Sequence, residues 1–199
     1  MSKLLDCVAT VRPQLERLYS APGRHYHNLD HIHNCLRLLK DVRAQCNHPD
    51  AVEAAIWFHD CIYDPTRRDN EEASAEFAAR SLGDCGISAD QIQRVRELII
   101  ATKHAVQPTD ADSQLLVDID LSILGSASAI FDEYERGIRL EYAHVPDEAF
   151  VAGRAQILEI FLARPRIFLT EYFRHRFEAS ARQNLARSIG QLRSGQTAG

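Results

Sequence analysis

No C-x-x-C pair occurs among the five cysteines, Cys7, Cys35, Cys46, Cys61 and Cys85, which excludes a zinc ribbon or a dithiol redox couple. Their odd number and wide scatter read as reduced, mostly buried thiols, because a free cysteine packs as a small hydrophobe. No apolar run approaches the roughly 20 residues that a membrane span needs. The opening MSKLLDCVAT also lacks the basic start and long apolar stretch of a secretory signal. A soluble cytoplasmic protein with no membrane partner is therefore expected. Excess positive charge is missing too: 23 Lys and Arg against 28 Asp and Glu leave a formal net charge of −5. That balance argues against bulk nucleic-acid binding, although it leaves room for a local basic pocket that holds one phosphate. The expected partner is a small molecule. Internal repeats and low-complexity tracts are absent, and no stretch shows the sustained apolar/polar alternation of a half-buried strand.

What the chain does have is apolar residues at helical spacing almost throughout. With 199 residues and 45% apolar content it can build one domain with a sizeable core. The spacing predicts an all-α fold with helices at about 3–19, 28–46, 51–62, 70–83, 89–103, 112–124, 127–143, 147–163 and 170–193. The breakers APG at 21, HPD at 48, CGIS at 85 and VPD at 145 separate them. Asp50 with Glu53, and Ser88 with Gln91, have the spacing of capping boxes. The closing RSGQTAG reads as a frayed tail.

Four of the nine histidines fall within GRHYHNLDHIHN, between His25 and His33. At 100° per residue, the helix beginning near Asn28 carries Leu29, Ile32, Cys35, Leu36, Leu38, Leu39, Val42 and Cys46 on one apolar arc. His31 falls inside that arc. His33 lies beyond it among Arg37, Lys40 and Ala44, as a solvated residue, and His27 stands one turn before His31 at the arc's margin. The segment AVEAAIWFHDCIYD is apolar nearly all round, so it reads as a central buried helix, yet it carries His59 and Asp60. In SQLLVDIDLSILG the same wheel puts Asp118 on the polar side with Gln114 and Ser122, and Asp120 within the apolar arc.

An inward histidine or carboxylate is often no more than a hydrogen-bonded core residue. Here three helices each aim such groups into an apolar interior: His31, the pair His59 and Asp60, and Asp120. An unpaired buried carboxylate costs several kcal/mol or loses its charge, so a cation or a set of donors should meet it. One divalent ion satisfies all four residues. Two imidazoles and two carboxylates suit Mn, Fe, Co, Ni or Zn with water completing the shell, and match a thiolate-rich structural zinc site poorly.

The segments YHNLDHI at 26–32, FHD at 58–60 and DIDLSILG at 118–125 resemble the signature of the HD-domain superfamily of metal-dependent phosphohydrolases. With RHYHNLDHI, FHDCIYDP, DNEEASA, ATKH, IRLEY and GRAQIL, the pattern is similar to a branch of predicted HD-superfamily hydrolases over about residues 20–185. The resemblance implies a compact bundle of eight to nine helices and metal ligands His31, His59, Asp60 and Asp120, with Mg added to the candidate ions. YHNLDH is also similar to a segment of the cyclic-nucleotide phosphodiesterases, distant members of that superfamily. Carried over, His27 becomes the proton donor to the leaving oxygen and His31 the ligand. The chain is far shorter than those catalytic domains and lacks their full binuclear motif set, so a cyclic nucleotide does not follow.

The implied chemistry is hydrolysis of a phosphate ester or anhydride of a small molecule, a nucleotide being one candidate, by metal-activated water that Asp60 or Asp120 orients. Arg24 and Lys103 are the cations best placed in sequence to meet the substrate phosphate, and are otherwise ordinary surface charges. His104, in the same ATKH motif, is a further substrate-side candidate, or a ligand to a second metal. Glu71 and Glu72 read as a solvated first helical turn. Arg139 and Arg154 occupy positions that resemble recurrent ones of the branch, or form salt bridges with residues such as Glu141 and Glu159. Two alternatives stand beside the hydrolase: an HD-type iron oxygenase, for which only His104 supplies an extra histidine between Asp60 and Asp120, and a metal-stabilised binding module without turnover.

Overall fold

Serine, asparagine and glycine punctuation ends the helices close to where the sequence places them. A computed structural model describes residues 2–195 and contains, among them, nine α-helices and no strand. The helices are α1 (Lys3–Tyr19), α2 (Leu29–Val42), α3 (Pro49–Phe58), α4 (Asn70–Asp84), α5 (Ala89–Ala101), α6 (Ala111–Leu121), α7 (Ser128–Glu141), α8 (Asp147–Leu162) and α9 (Glu171–Arg193). Two 3₁₀ turns, Arg43–Gln45 and Ser122–Gly125, complete stretches that the periodicity reads as α-helix. Residues 196–199 of the closing RSGQTAG lie outside the described residues. No single helix among the described residues is long and apolar enough to cross a membrane.

The contacts group into two compact units, Met1–Asp120 and Leu121–Gly199. In the first, α3 is central as its composition requires. Ala51, Val52, Ala54, Ala55, Ile56, Trp57 and Phe58 are all buried, and α1, α2, α4 and α5 pack against the helix. Burying side chains such as Ile56 and Phe58 contributes about 1.5–3 kcal/mol each. In the second unit, α9 packs on α8 and on the 3₁₀ turn Ser122–Gly125. Gly125 is needed there because a Cβ would sit 2.5 Å from the Phe177 carbonyl oxygen. Asn184 Nδ2 donates to the carbonyls of Leu124 and Ser126, both at 2.9 Å. The buried Arg154 pairs with Glu135 and Tyr134, and Arg139 with Asp147, rather than with Glu159 or Glu141.

Helix ends are tied down by polar groups, several from a distance. Asn28 Oδ1 accepts from the N–H groups of Asp30 and His31, capping α2. Ser88 caps α5 through Gln91 N–H, as its capping-box spacing predicts. Asp50 and Glu53 form no such box. The cap position of α3 is His48, Pro49 follows at the first helical position, and both carboxylates instead bind the Arg43 guanidinium. The free N–H groups before α3 are met by Asp112, whose oxygens accept from Asn47 at 2.7 Å and His48 at 3.0 Å.

The cysteines differ from expectation. Cys35, Cys46 and Cys61 are free, the first and last buried, but Cys7 of α1 and Cys85, just past α4, form a disulfide. Their separation of 78 residues is invisible to any spacing rule, since the packing of α1 on α4 alone brings them together. The bond closes a long loop and so restricts the unfolded chain. We expect a reductant, or Cys7→Ser, to lower unfolding stability by about 2–5 kcal/mol. Denaturant titration with and without dithiothreitol measures it, and thiol counting on the unreduced, unfolded chain should find three free cysteines.

Candidate metal centre

Two imidazoles of the first unit, His31 and His59, meet side by side, and the carboxylates of Asp60 and Asp120 each approach both of them. His31 Nε2 lies 3.2 Å from His59 Nε2, 3.2 Å from Asp120 Oδ1 and 3.9 Å from Asp60 Oδ2. His59 Nε2 lies 3.1 Å from Asp60 Oδ2 and 3.6 Å from Asp120 Oδ1. Bonds of about 2.0–2.2 Å from one ion to nitrogen and oxygen ligands place neighbouring ligands about 2.8–3.6 Å apart in octahedral or tetrahedral geometry. The observed spacings fall in that range except for the slightly wider His31–Asp60 pair.

Each ligand comes from a helix end. His31 sits in the first turn of α2, held by the Asn28 cap. α3 stops at Phe58, earlier than its periodicity suggests, and His59 and Asp60 occupy the turn that follows. The turn is held from two sides. Ser74 Oγ bonds both the N–H and the carbonyl of Ile62, at 3.1 Å each. The Arg24 guanidinium donates to the carbonyls of His27, Asp60 and Cys61 at 2.7–2.9 Å. Carbonyls beyond a helix C-terminus lack intrahelical donors, and a cation is favoured there.

His59 Nδ1 donates to the Ile56 carbonyl at 2.9 Å, so in the neutral ring the Nε2 lone pair faces the cluster. The Tyr26 hydroxyl, 3.1 Å from His31 Nδ1, orients the second ring. This donor set fits a divalent ion: two buried imidazole nitrogens and two carboxylates lie within a few ångströms of one another, and an ion can take over the charge compensation that the histidines supply in its absence. Cys35 Sγ approaches His31 and Asp120 and could also reach an ion. Burial, reinforced by Asp120 and Asp60, pushes its thiol well above the ordinary range and disfavours the thiolate.

The protonation state of the ion-free cluster follows from the same geometry. Burial pulls the His59 imidazole down, but Asp60 and Asp120 outweigh it and hold the ring well above its ordinary value. Burial raises Asp60 and Asp120, yet His59 on the first, and His104, His31 and His59 on the second, hold both carboxyls well below theirs.

Not every residue singled out in the sequence lies in the cluster. His104 Nε2 bonds Asp120 Oδ2 at 2.9 Å, behind the oxygen that faces His31. It reaches there because the turn after α5 takes φ +55° at His104, a left-handed conformation that non-glycine residues adopt at a cost of order 1 kcal/mol. Lys103 pairs with Glu72 and donates to the Arg68 carbonyl at 3.2 Å. Arg24 is directed to carbonyls, as above. His27 stacks on Tyr63 with ring centroids 4.2 Å apart and stands 6.4 Å from the His31 ring, beside the cluster and not within it. The polar side of α6 is not a solvent side: Asp118 is fully buried, because Leu115, Leu116, Val117 and Ile119 are buried around the helix. Sequence reading missed Tyr26, Tyr63 and the Arg24 clamp, since a tyrosine or arginine beside a histidine motif carries no periodic signal.

No family model, no curated protein and no solved structure matches this chain.

Alanine at His31, His59, Asp60 or Asp120 should each abolish stoichiometric binding of a divalent ion, measured by elemental analysis after dialysis. Asp118→Ala should keep the ion but lower stability by about 1–3 kcal/mol, since a buried polar partner is lost. In the ion-free protein the raised His59 contributes stability that is present below about pH 6.5 and lost as pH rises through its folded value. The depressed Asp60 and Asp120 contribute stability present above about pH 4 and lost as pH falls through their folded values. An ion must displace the His59 proton. Affinity should therefore rise as pH increases from about 6.5 through the raised folded value of His59, and calorimetry in buffers of different ionisation enthalpy should show net proton release.

Proposed function

We propose that this protein is a metal-dependent hydrolase, and more particularly a phosphohydrolase of the HD-domain type acting on a phosphate ester or anhydride of a small molecule. The observation that carries the reading is the approach of both carboxylates, Asp60 and Asp120, to the adjoining imidazoles of His31 and His59. The order of these residues along the chain, a histidine, then His-Asp, then a distant aspartate, is the pattern by which the sequence resembles that superfamily.

A divalent ion held by these four residues would supply Lewis acidity, lowering the pKa of water and polarising a phosphoryl oxygen. The protein groups around it have separable tasks. Asp60 and Asp120 each offer a second oxygen, and that of Asp120 is held by His104, which fixes the carboxylate plane. Arg24 ties the backbone of His27 to the turn bearing Asp60, so the two move as one piece. His27, stacked on Tyr63 at the edge of the cluster, is placed to donate a proton to a leaving oxygen. Lys103 and His104 lie on the turn after α5, and the contact of His104 with Asp120 supports reading that turn as the substrate side.

A phosphate-release screen over nucleotides, sugar phosphates and pyrophosphorylated compounds, run with each of Mn, Fe, Co, Ni, Zn and Mg, tests the activity. Iron content with an optical spectrum separates it from oxygenase chemistry, and ion binding without turnover would leave a binding module. His27→Ala should keep the ion yet slow hydrolysis about 10²- to 10⁴-fold, the usual worth of positioned acid catalysis. The loss should shrink for a nitrophenyl ester, whose departing oxygen needs little protonation. Equal rates for native and variant protein on both substrates would remove His27 from the mechanism.

A further inference from the structure

The faces of α2 and α3 turned away from the metal cluster form, with α1, a pocket of about 400 Å³. Its lining includes Arg12, Arg37, Lys40 and Arg43, with His33, Trp57 and two carboxylates, Glu16 and Glu53. This is an unusual concentration of positive charge on a chain whose formal net charge is −5. The two signs do not cancel within the pocket. Glu53 is already bound, together with Asp50, to Arg43.

Among the described residues no carboxylate pairs with the remaining three cations. Arg12 lies over the Trp57 ring at 5.0 Å, Arg37 donates to the Asn34 side chain at 2.8 Å, and Lys40 has no hydrogen bond or ion pair. Arg37 and Lys40 are three residues apart on α2 and so share a face. His33 is exposed, as its place on the helical wheel predicts, and its ring stands edge-on to Trp57 with centroids 6.4 Å apart at the same pocket. Three cations gathered in a concave site with an aromatic floor, outnumbering Glu16, the one lining carboxylate that Arg43 does not take, favour an anion, because charge-assisted donors converge on it. A volume of this size suits a small molecule rather than a macromolecule.

We infer that this pocket is a second binding site, separate from the metal centre, for a small multiply charged anion bearing phosphate or carboxylate groups. Arg12, Arg37 and Lys40 are its charge donors. The inference does not depend on the hydrolase reading. α2 carries Arg37 and Lys40 of the pocket and His31 of the cluster, and α3 carries Trp57 just before the turn that holds His59, so a ligand here touches the two helices that position those histidines.

Trp57 is the single tryptophan of the chain, so intrinsic fluorescence reports from the pocket itself. Metal-free native protein and the Asp120→Asn variant are titrated with pyrophosphate, and in parallel with citrate, at constant ionic strength, with calorimetry as a second readout. The expected result is saturable binding in both proteins. Arg37→Glu and Lys40→Glu should each weaken it about tenfold or more, whereas Arg17→Glu, an exposed charge change on α1 outside the pocket, should alter it less than about twofold. Tighter binding of pyrophosphate identifies the ligand chemistry as phosphate, tighter binding of citrate as carboxylate, and either order supports the site. Circular dichroism confirms that the variants are folded. The inference is overturned if neither anion gives saturable binding, if Asp120→Asn alone removes it, or if folded Arg37→Glu and Lys40→Glu bind as the native protein does.

Discussion

Two buried imidazoles, each approached by two largely enclosed carboxylates, form the constraint around which the first unit is organised. A lone ionised carboxylate in such a setting costs several kcal/mol. Asp60 and Asp120 bear their charge only because His31, His59 and His104 stand within hydrogen-bonding or ion-pairing distance. Removing one partner leaves the others uncompensated, which makes the cluster a unit and not a set of independent contacts. The same requirement makes it receptive to a divalent cation, since one positive ion satisfies all four groups at once.

The cluster is assembled from helix ends. His31 is in the first turn of α2, His59 and Asp60 follow the last turn of α3, His104 follows α5, and Asp120 is in the last turn of α6. Helix termini have unsatisfied backbone groups, and this chain meets them with side chains that also position the site. Asn28 caps α2 and thereby orients His31. Arg24 answers the carbonyls after α3 and fixes the peptide that carries Asp60. Asp112 closes the start of α3 from the beginning of α6, so the two elements that bear His59 and Asp120 are joined at their far ends as well.

The disulfide and the basic pocket both draw on α1. Cys7–Cys85 links α1 to the end of α4, while α1, α2 and α3 together wall the pocket around Trp57. The three free thiols show burial raising the acid form: Cys61 is pushed up to about 12 and Cys46 to about 11, chiefly by desolvation. They behave as small packing residues, which is how free cysteines read in sequence.

Period and punctuation in the sequence determined the all-helical class, the approximate extent of the helices, the central burial of α3, and the inward facing of His31, because the 3.6-residue repeat is a local property of the chain. It also separated Asp120 from Asp118 as the acid that reaches the histidines. What lay beyond its reach was everything that depends on which element meets which. A helical wheel shows a face but not the neighbour covering it, so Asp118 looked peripheral although α6 is enclosed. Capping-box spacing at Asp50 and Glu53 could not show that Arg43 would take both carboxylates. No local signal marked the Cys7–Cys85 bond, the left-handed turn at His104, the Arg24 clamp or the cations around Trp57. Each joins groups distant in sequence, or depends on a backbone conformation that only the surrounding packing imposes, and tertiary structure alone decides such pairings.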